Sequence, residues 1–259
     1  MKWKQTDPLY RGDLDTAWKK ELFYSNMYPL NQTVEWVDTD IPENAIYDKE
    51  ITYTFNEYGF RSDSFNDRAD INILTCGCSN TVGVGVTHEE SWPFALKHKI
   101  QEMGKSAMVY NIATSGASSQ YVVRSIYKVI NILNPTHIFI YWPPITRLEI
   151  PYHPGEQFSQ EFLDQSQYPK IYADETWLLK YNLIRDYSFL MEISNNANVP
   201  IYTSLEDKAH QVHSMIGKVG DRELFETFIE AKTDARDGIH PGADWHEKIA
   251  ESFIKHINT

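Results

Sequence analysis

Ile71-Asn72-Ile73-Leu74-Thr75-Cys76-Gly77-Cys78-Ser79-Asn80-Thr81 is an apolar run of strand length that breaks into a turn at a glycine. A short run of this kind, rich in β-branched residues, reads as a buried strand. Val82-Gly83-Val84-Gly85-Val86 prolongs the turn. Ser91-Trp92-Pro93 then opens a helix, with Ser91 as N-cap and Pro93 in the first turn, where its missing N–H costs nothing. Residues 107–112 form a second strand. Ser118 or Ser119 caps a helix whose Val122, Val123, Ile126, Val129 and Ile130 make one apolar stripe, and Asn134-Pro135 stops it. A third strand covers 137–141 and ends at Pro143-Pro144.

Further along, the pattern predicts a helix over 175–196, a strand over 199–203 and a helix over 222–232. A last helix starts at Asp244, with Glu247 as its capping-box partner and Trp245, Ile249, Phe253 and Ile257 on one face. Alternating strands and helices argue for a parallel sheet covered by helices on both faces. Right-handed crossovers bring the carboxyl ends of all its strands to one edge, where ligands bind. Residues 1–65 fit this pattern poorly. They read as an irregular wrap with one short strand near Ile51-Thr52-Tyr53-Thr54.

The 259 residues carry no repeat and no linker, so the expectation is a single domain with a sizeable core. Lys and Arg number 24 against 36 Asp and Glu, a net charge of −12, which disfavours nucleic acid and anionic membrane surfaces as partners. No apolar run approaches the roughly 18 residues of a membrane span. The first residues are basic with no apolar stretch behind them, unlike a secretory signal. Cys76 and Cys78, one residue apart, suit a reducing compartment, and the expected location is cytoplasmic.

The turn after the first strand is the candidate nucleophile site. Glycines flanking a serine at a strand's carboxyl end expose its hydroxyl and nearby backbone N–H groups, as a serine nucleophile requires. Rival motifs fail on spacing. A P-loop needs a lysine that is absent, a dinucleotide fingerprint needs a third glycine where His88 stands, and the nucleophile elbow needs glycine where Thr81 stands. Cys76-x-Cys78 lacks the second pair that a metal site would need.

Asp237-Gly238-Ile239-His240-Pro241 supplies the candidate base. An Asp three residues before a His can turn its carboxylate to the imidazole Nδ1–H, leaving Nε2 to take a proton. His210 and His213 form H-x-x-H, and His240 and His246 are six apart, but no acidic residue stands at metalloprotease spacing. Neither a metal nor a cofactor is expected.

Together these segments resemble the GDSL/SGNH superfamily of serine esterases and lipases, over roughly residues 56–259. Gly77-Cys78-Ser79-Asn80-Thr81 with Gly83 and Gly85 is similar to block I, G-D-S-x-T, with Cys78 in place of the Asp. Gly116 matches block II, and Asp237, His240 and Pro241 match the closing D-x-x-H-P. Asn56-Glu57-Tyr58-Gly59-Phe60-Arg61 resembles a segment that precedes block I in many members. Block III, G-x-N-D, is missing: the third strand runs into Tyr141-Trp142-Pro143-Pro144 with no Asn.

The resemblance implies a flavodoxin-like α/β/α sandwich, its parallel sheet of about five strands ordered 2-1-3-4-5. It implies a triad of Ser79, Asp237 and His240, with an oxyanion hole from the N–H groups of Ser79 and Gly116. Arg147, Thr146 or Trp142 would replace the block III Asn. The implied reaction is hydrolysis of a carboxylic ester through an acyl-enzyme, with an acetyl or other short acyl group on a small-molecule or carbohydrate alcohol. Two alternatives are an acyltransferase on the same fold and a non-catalytic carbohydrate- or ester-binding protein. Residues 145–180, rich in Tyr and Phe, are expected to roof the cleft.

Overall fold

The structure, a computed structural model, describes residues 31, 33–36, 51–145, 147, 176–205 and 232–257. Two small strands, β1 (Thr33–Trp36) and β2 (Ile51–Thr54), pair antiparallel. The second was expected; the first was not, because a four-residue strand ahead of it carries no turn signal of its own. Next come β3 (Ile71–Gly77), α1 (Ser79–Val82), α2 (Trp92–Glu102), β4 (Ala107–Asn111) and α3 (Ser119–Leu133). β5 (His137–Trp142), α4 (Thr176–Ala197), β6 (Ile201–Leu205) and α5 (Ala243–Ile254) complete the order.

The main sheet runs β4-β3-β5-β6 with every pair parallel. Among the described residues it has four strands where about five were expected, and their order matches the first four places of the expected one. Side chains alternate across the sheet. Leu74, Cys76, Ile138, Ile140 and Trp142 point to one layer, with α3 and α4. Ile73, Val109, Phe139 and Tyr141 point to the other, with α2 and α5. The result is an α/β/α sandwich with a separate core on each face. The helix expected over 222–232 lies outside the described residues but for its last position, as does most of the 145–180 segment and of the N-terminal wrap.

The part of the wrap that is described has a definite task. Among the described residues β4 is an edge strand, whose open N–H and C=O groups would invite another chain. Ser62 and Asp63 close part of it. Asp63 N–H donates to Val109 O at 3.2 Å, Val109 N–H donates to Asp63 Oδ2 at 2.8 Å, and Asn111 N–H donates to Ser62 Oγ at 2.9 Å. Lys97 of α2 pairs with Asp63 at 2.7 Å.

Of three helix starts, one chooses between the alternatives of the sequence reading and two differ from it in detail. Ser118 caps α3, its Oγ accepting from Tyr121 N–H at 3.2 Å, which settles the choice between two serines. Ser91 is the N-cap residue of α2, but its hydroxyl donates to His88 O at 2.7 Å instead of capping. The orphan N–H of Trp92 donates to His246 Nδ1 of α5 at 3.2 Å. α5 has Gly242 as N-cap, so Asp244 falls in the first turn, where its carboxylate accepts from Thr233 Oγ1 and from Lys232 N–H at 3.3 Å. Glu247 takes no part in a capping box; it pairs with Lys99 at 2.5 Å. β6 begins two residues later than the apolar run because Pro200 has no N–H to give the ladder, and Val199 N–H still closes the end of α4 on Ser194 O at 3.1 Å.

Candidate active site

The carboxyl ends of β3, β4 and β5 meet at one edge, and the glycine-rich turn leaves the sheet there. Gly77 ends β3 under steric compulsion. A Cβ on it would collide with Thr81 Oγ1 and stand 2.6 Å from Tyr141 O on β5. The neighbouring backbone cannot swing aside. Gly77→Ala is therefore expected to destabilise the chain by about 3 kcal/mol, the upper end of the usual cost of overpacking, read as a lowered urea midpoint at unchanged m-value.

Ser79 is the first residue of α1 and only 6% exposed, so it lies recessed below the surface. Among the described residues, no backbone hydrogen bond uses the N–H of Ser79 or that of Gly116. The loop carrying Gly116 is stitched to the Ser79 turn. Thr114 N–H donates to Gly77 O at 3.4 Å, and the buried Asn111 amide donates from Nδ2 to Thr81 O at 3.0 Å. Asp186 of α4 accepts from Ser119 Oγ at 2.6 Å and so ties that helix to the same corner.

Asp237 and His240 come together as the spacing predicts. His240 Nδ1 lies 2.5 Å from Asp237 Oδ2, the imidazole N–H donating to the carboxylate. The other oxygen, Oδ1, accepts the N–H groups of Ile239 and His240, each at 3.0 Å. Burial alone would raise the Asp237 pKa, but these hydrogen bonds and the imidazole hold it below the usual carboxylate value. The carboxylate is thus ionised at neutral pH. Gly85 carries this loop: its O accepts from Arg236 N–H at 3.0 Å, and a Cβ on it would stand 2.6 Å from Ala235 Cβ and 3.3 Å from Asp237 Oδ1. The Asp237–His240 loop therefore rests on the turn that begins at Ser79. No hydrogen bond joins Ser79 Oγ to His240 among the described residues.

The end of β5 is where block III was expected. Trp142 extends the strand one residue beyond expectation; it is fully buried on the α3–α4 face, and its Nε1 has no hydrogen-bond partner among the described residues. Arg147 is partly buried, and its N–H closes a turn on Pro144 O at 3.0 Å. Thr146 lies outside the described residues, as do His210 and His213. Among the described residues, no three His, Cys, Asp or Glu side chains cluster in a way that could hold a metal ion. Cys76 and Cys78 are buried and unbridged, and burial pushes the Cys76 thiol pKa up.

Four side chains around the site were given no role by the sequence reading. His246 is fully buried, with its pKa lowered to about 3 by burial first and then by the Arg61 charge, so it stays neutral and serves as acceptor for Trp92 N–H. Asn111, Arg61 and Tyr53 are the others. For Asn111 the available signal was an Asn in an otherwise apolar segment, since buried polar groups persist where they are hydrogen-bonded.

A scan against protein-family models and a search of curated proteins give no match. Among solved structures, the chain is similar to a psychrotrophic esterase from a Pseudoalteromonas species, at 15% identity and a TM-score of 0.47, over 73% of this chain and 97% of that one. It is also similar to a family 3 carbohydrate esterase of Clostridium thermocellum, at 14% identity and a TM-score of 0.46, over 73% and 99% of the two chains. A lipase from a goat rumen metagenome matches at 15% identity and a TM-score of 0.47, over 70% and 94%.

Proposed function

We propose that the chain hydrolyses a carboxylic ester with Ser79 as nucleophile, His240 as general base and Asp237 as the group that orients it. The observation that carries this reading is the Asp237–His240 pair, hydrogen-bonded and seated on the turn that begins at Ser79. With Nδ1–H held by Asp237, the imidazole offers Nε2 to a hydroxyl. Ser79 Oγ would lose its proton to Nε2 and attack the acyl carbon, and the same proton would pass to the leaving alcohol. Water, deprotonated in turn by His240, would then release the acid and restore Ser79. The N–H groups of Ser79 and Gly116 would hold the oxyanion, and Trp142, Thr146 and Arg147 are the candidates for the donor that block III would have supplied.

The proposed acyl group is short, an acetyl or similar, on a small-molecule or carbohydrate alcohol. Ser79 supports this by its depth, since a recessed nucleophile leaves little room for a long chain. With p-nitrophenyl esters of acetate, butyrate and decanoate, kcat/KM is expected to fall with chain length. A maximum at decanoate would reject the short-acyl assignment while leaving the triad standing. Loss of the free-acid product in the presence of an acceptor alcohol, with transesterified product in its place and p-nitrophenol still released, would instead favour acyl transfer.

A further inference from the structure

The segment Asn56-Glu57-Tyr58-Gly59-Phe60-Arg61 belongs to no element of the main sheet, yet its last side chain ends beside the site. Asn56 folds it into a closed turn. Its Oδ1 accepts from Tyr58 N–H and Phe60 N–H, each at 3.0 Å, and its own N–H donates to Phe60 O at 2.8 Å. This aims Arg61 inward, where it is 2% exposed. The guanidinium then donates to three carbonyls of a single turn. Nη1 reaches Gly83 O at 2.5 Å and Val82 O at 3.3 Å, and Nη2 reaches Val86 O at 3.0 Å.

Arg61 also stacks its guanidinium over Tyr53, 4.4 Å from the ring centroid, and the Tyr53 hydroxyl accepts Gly85 N–H at 2.8 Å. Carbonyls at 82, 83 and 86 and the N–H at 85 are therefore all engaged by this stacked pair. The same turn also bears Ala235, Arg236 and Asp237 through Gly85. Ser79 stands at its start, with Ser79 O accepting both Gly83 N–H at 3.0 Å and Val84 N–H at 3.1 Å. A buried guanidinium is costly to desolvate and is kept where its planar fork satisfies several acceptors at once. Two buried rings, His246 and His88, feel its charge and stay neutral, as burial already dictates.

We infer that Arg61 and Tyr53 are positioning residues for the reaction: they fix the turn at 82–86 so that Ser79 and the Asp237–His240 pair keep their mutual register. This rests on the serine-esterase reading given above. Neither side chain is assigned a contact with substrate; both act through the turn.

The test uses the full chain and two variants. Arg61→Lys keeps the charge but loses the fork, and Tyr53→Phe removes only the hydroxyl under Gly85 N–H. Thermal unfolding checks that each is folded. The readouts are kcat and KM for p-nitrophenyl acetate and the rate of covalent labelling by a fluorophosphonate. Displacing a reacting group by about 1 Å can cost on the order of 10²-fold, so Arg61→Lys is expected to lower kcat and the labelling rate by up to that factor. KM is expected to stay within about two-fold, because ground-state binding is not what the turn provides. Tyr53→Phe is expected to show the same split to a smaller degree, and it decides the matter alone if Arg61→Lys does not fold. A merely structural role would scale activity with the folded fraction and spare kcat per folded molecule. If the wild type takes the label and both folded variants react at its rate, the inference is wrong while the esterase reading stands. A wild type that takes no label overturns both.

Discussion

Ser79→Ala and His240→Ala are each expected to lower kcat toward p-nitrophenyl acetate by on the order of 10⁴- to 10⁶-fold, with the thermal midpoint little changed. Members of a triad act as a unit, so losing one forfeits nearly all that the unit contributes. Asp237→Asn is expected to cost about 10⁴-fold with the loop intact, because an amide can present its N–H groups to Nδ1 and impose the wrong tautomer. The ionised carboxylate accepts from the imidazole and from the N–H groups of Ile239 and His240, and only an acceptor does all three. Turnover is measured on protein checked for native unfolding. A folded Ser79→Ala that keeps wild-type turnover would remove Ser79 from the mechanism.

The largest loss of stability is expected from Trp92→Ala. Trp92 is wholly buried at the start of α2 and packs on Phe253 of α5, their ring centroids 5.2 Å apart. Its Nε1 donates to Thr81 Oγ1 at 3.3 Å, and its backbone N–H donates to His246. Truncating a buried Trp to Ala typically costs about 3–5 kcal/mol, through lost transfer energy and the cavity left behind. For a chain of this size that lowers the thermal midpoint by roughly 10 °C. The backbone bond to His246 survives the change, so α2 should keep its start. The damage should appear at the α2–α5 contact and at Thr81, two residues from Ser79. A shift of only a degree or two would show that the site does not depend on this packing.

Much of the architecture was legible because it rests on local chemistry. The run 71–76 was apolar enough to be a central strand, Pro143-Pro144 could only end one, and the stripe from Val122 to Ile130 could only be one buried helix face. The Asp237–His240 pair was legible for the same reason: three residues of separation let one side chain reach the other with no help from the rest of the chain. Long-range choices were not legible. Nothing near Ser91 says that a histidine 155 residues further on will accept the neighbouring N–H, so the hydroxyl was assigned a cap it does not make. Asp244 looked like an N-cap because Asp is good at it, but Gly242 holds that position and the Asp244 carboxylate finds Thr233 instead. Arg61 was visible only as the end of a familiar-looking segment. Its partners, the carbonyls of Val82, Gly83 and Val86, belong to a turn more than twenty residues away. Tertiary contact, not periodicity, assigns such groups their work.

The most direct measurement is covalent labelling of the full chain with a fluorophosphonate, followed by peptide mapping of the adduct. Phosphonylation needs a serine whose proton is taken by a nearby base and whose adduct oxygen is held by N–H donors, so it reports the whole constellation at once. The expected result is a single adduct on Ser79, formed by the wild type and lost in His240→Ala. An unlabelled wild-type chain, or a label on any other residue, would contradict the assignment of Ser79 as nucleophile.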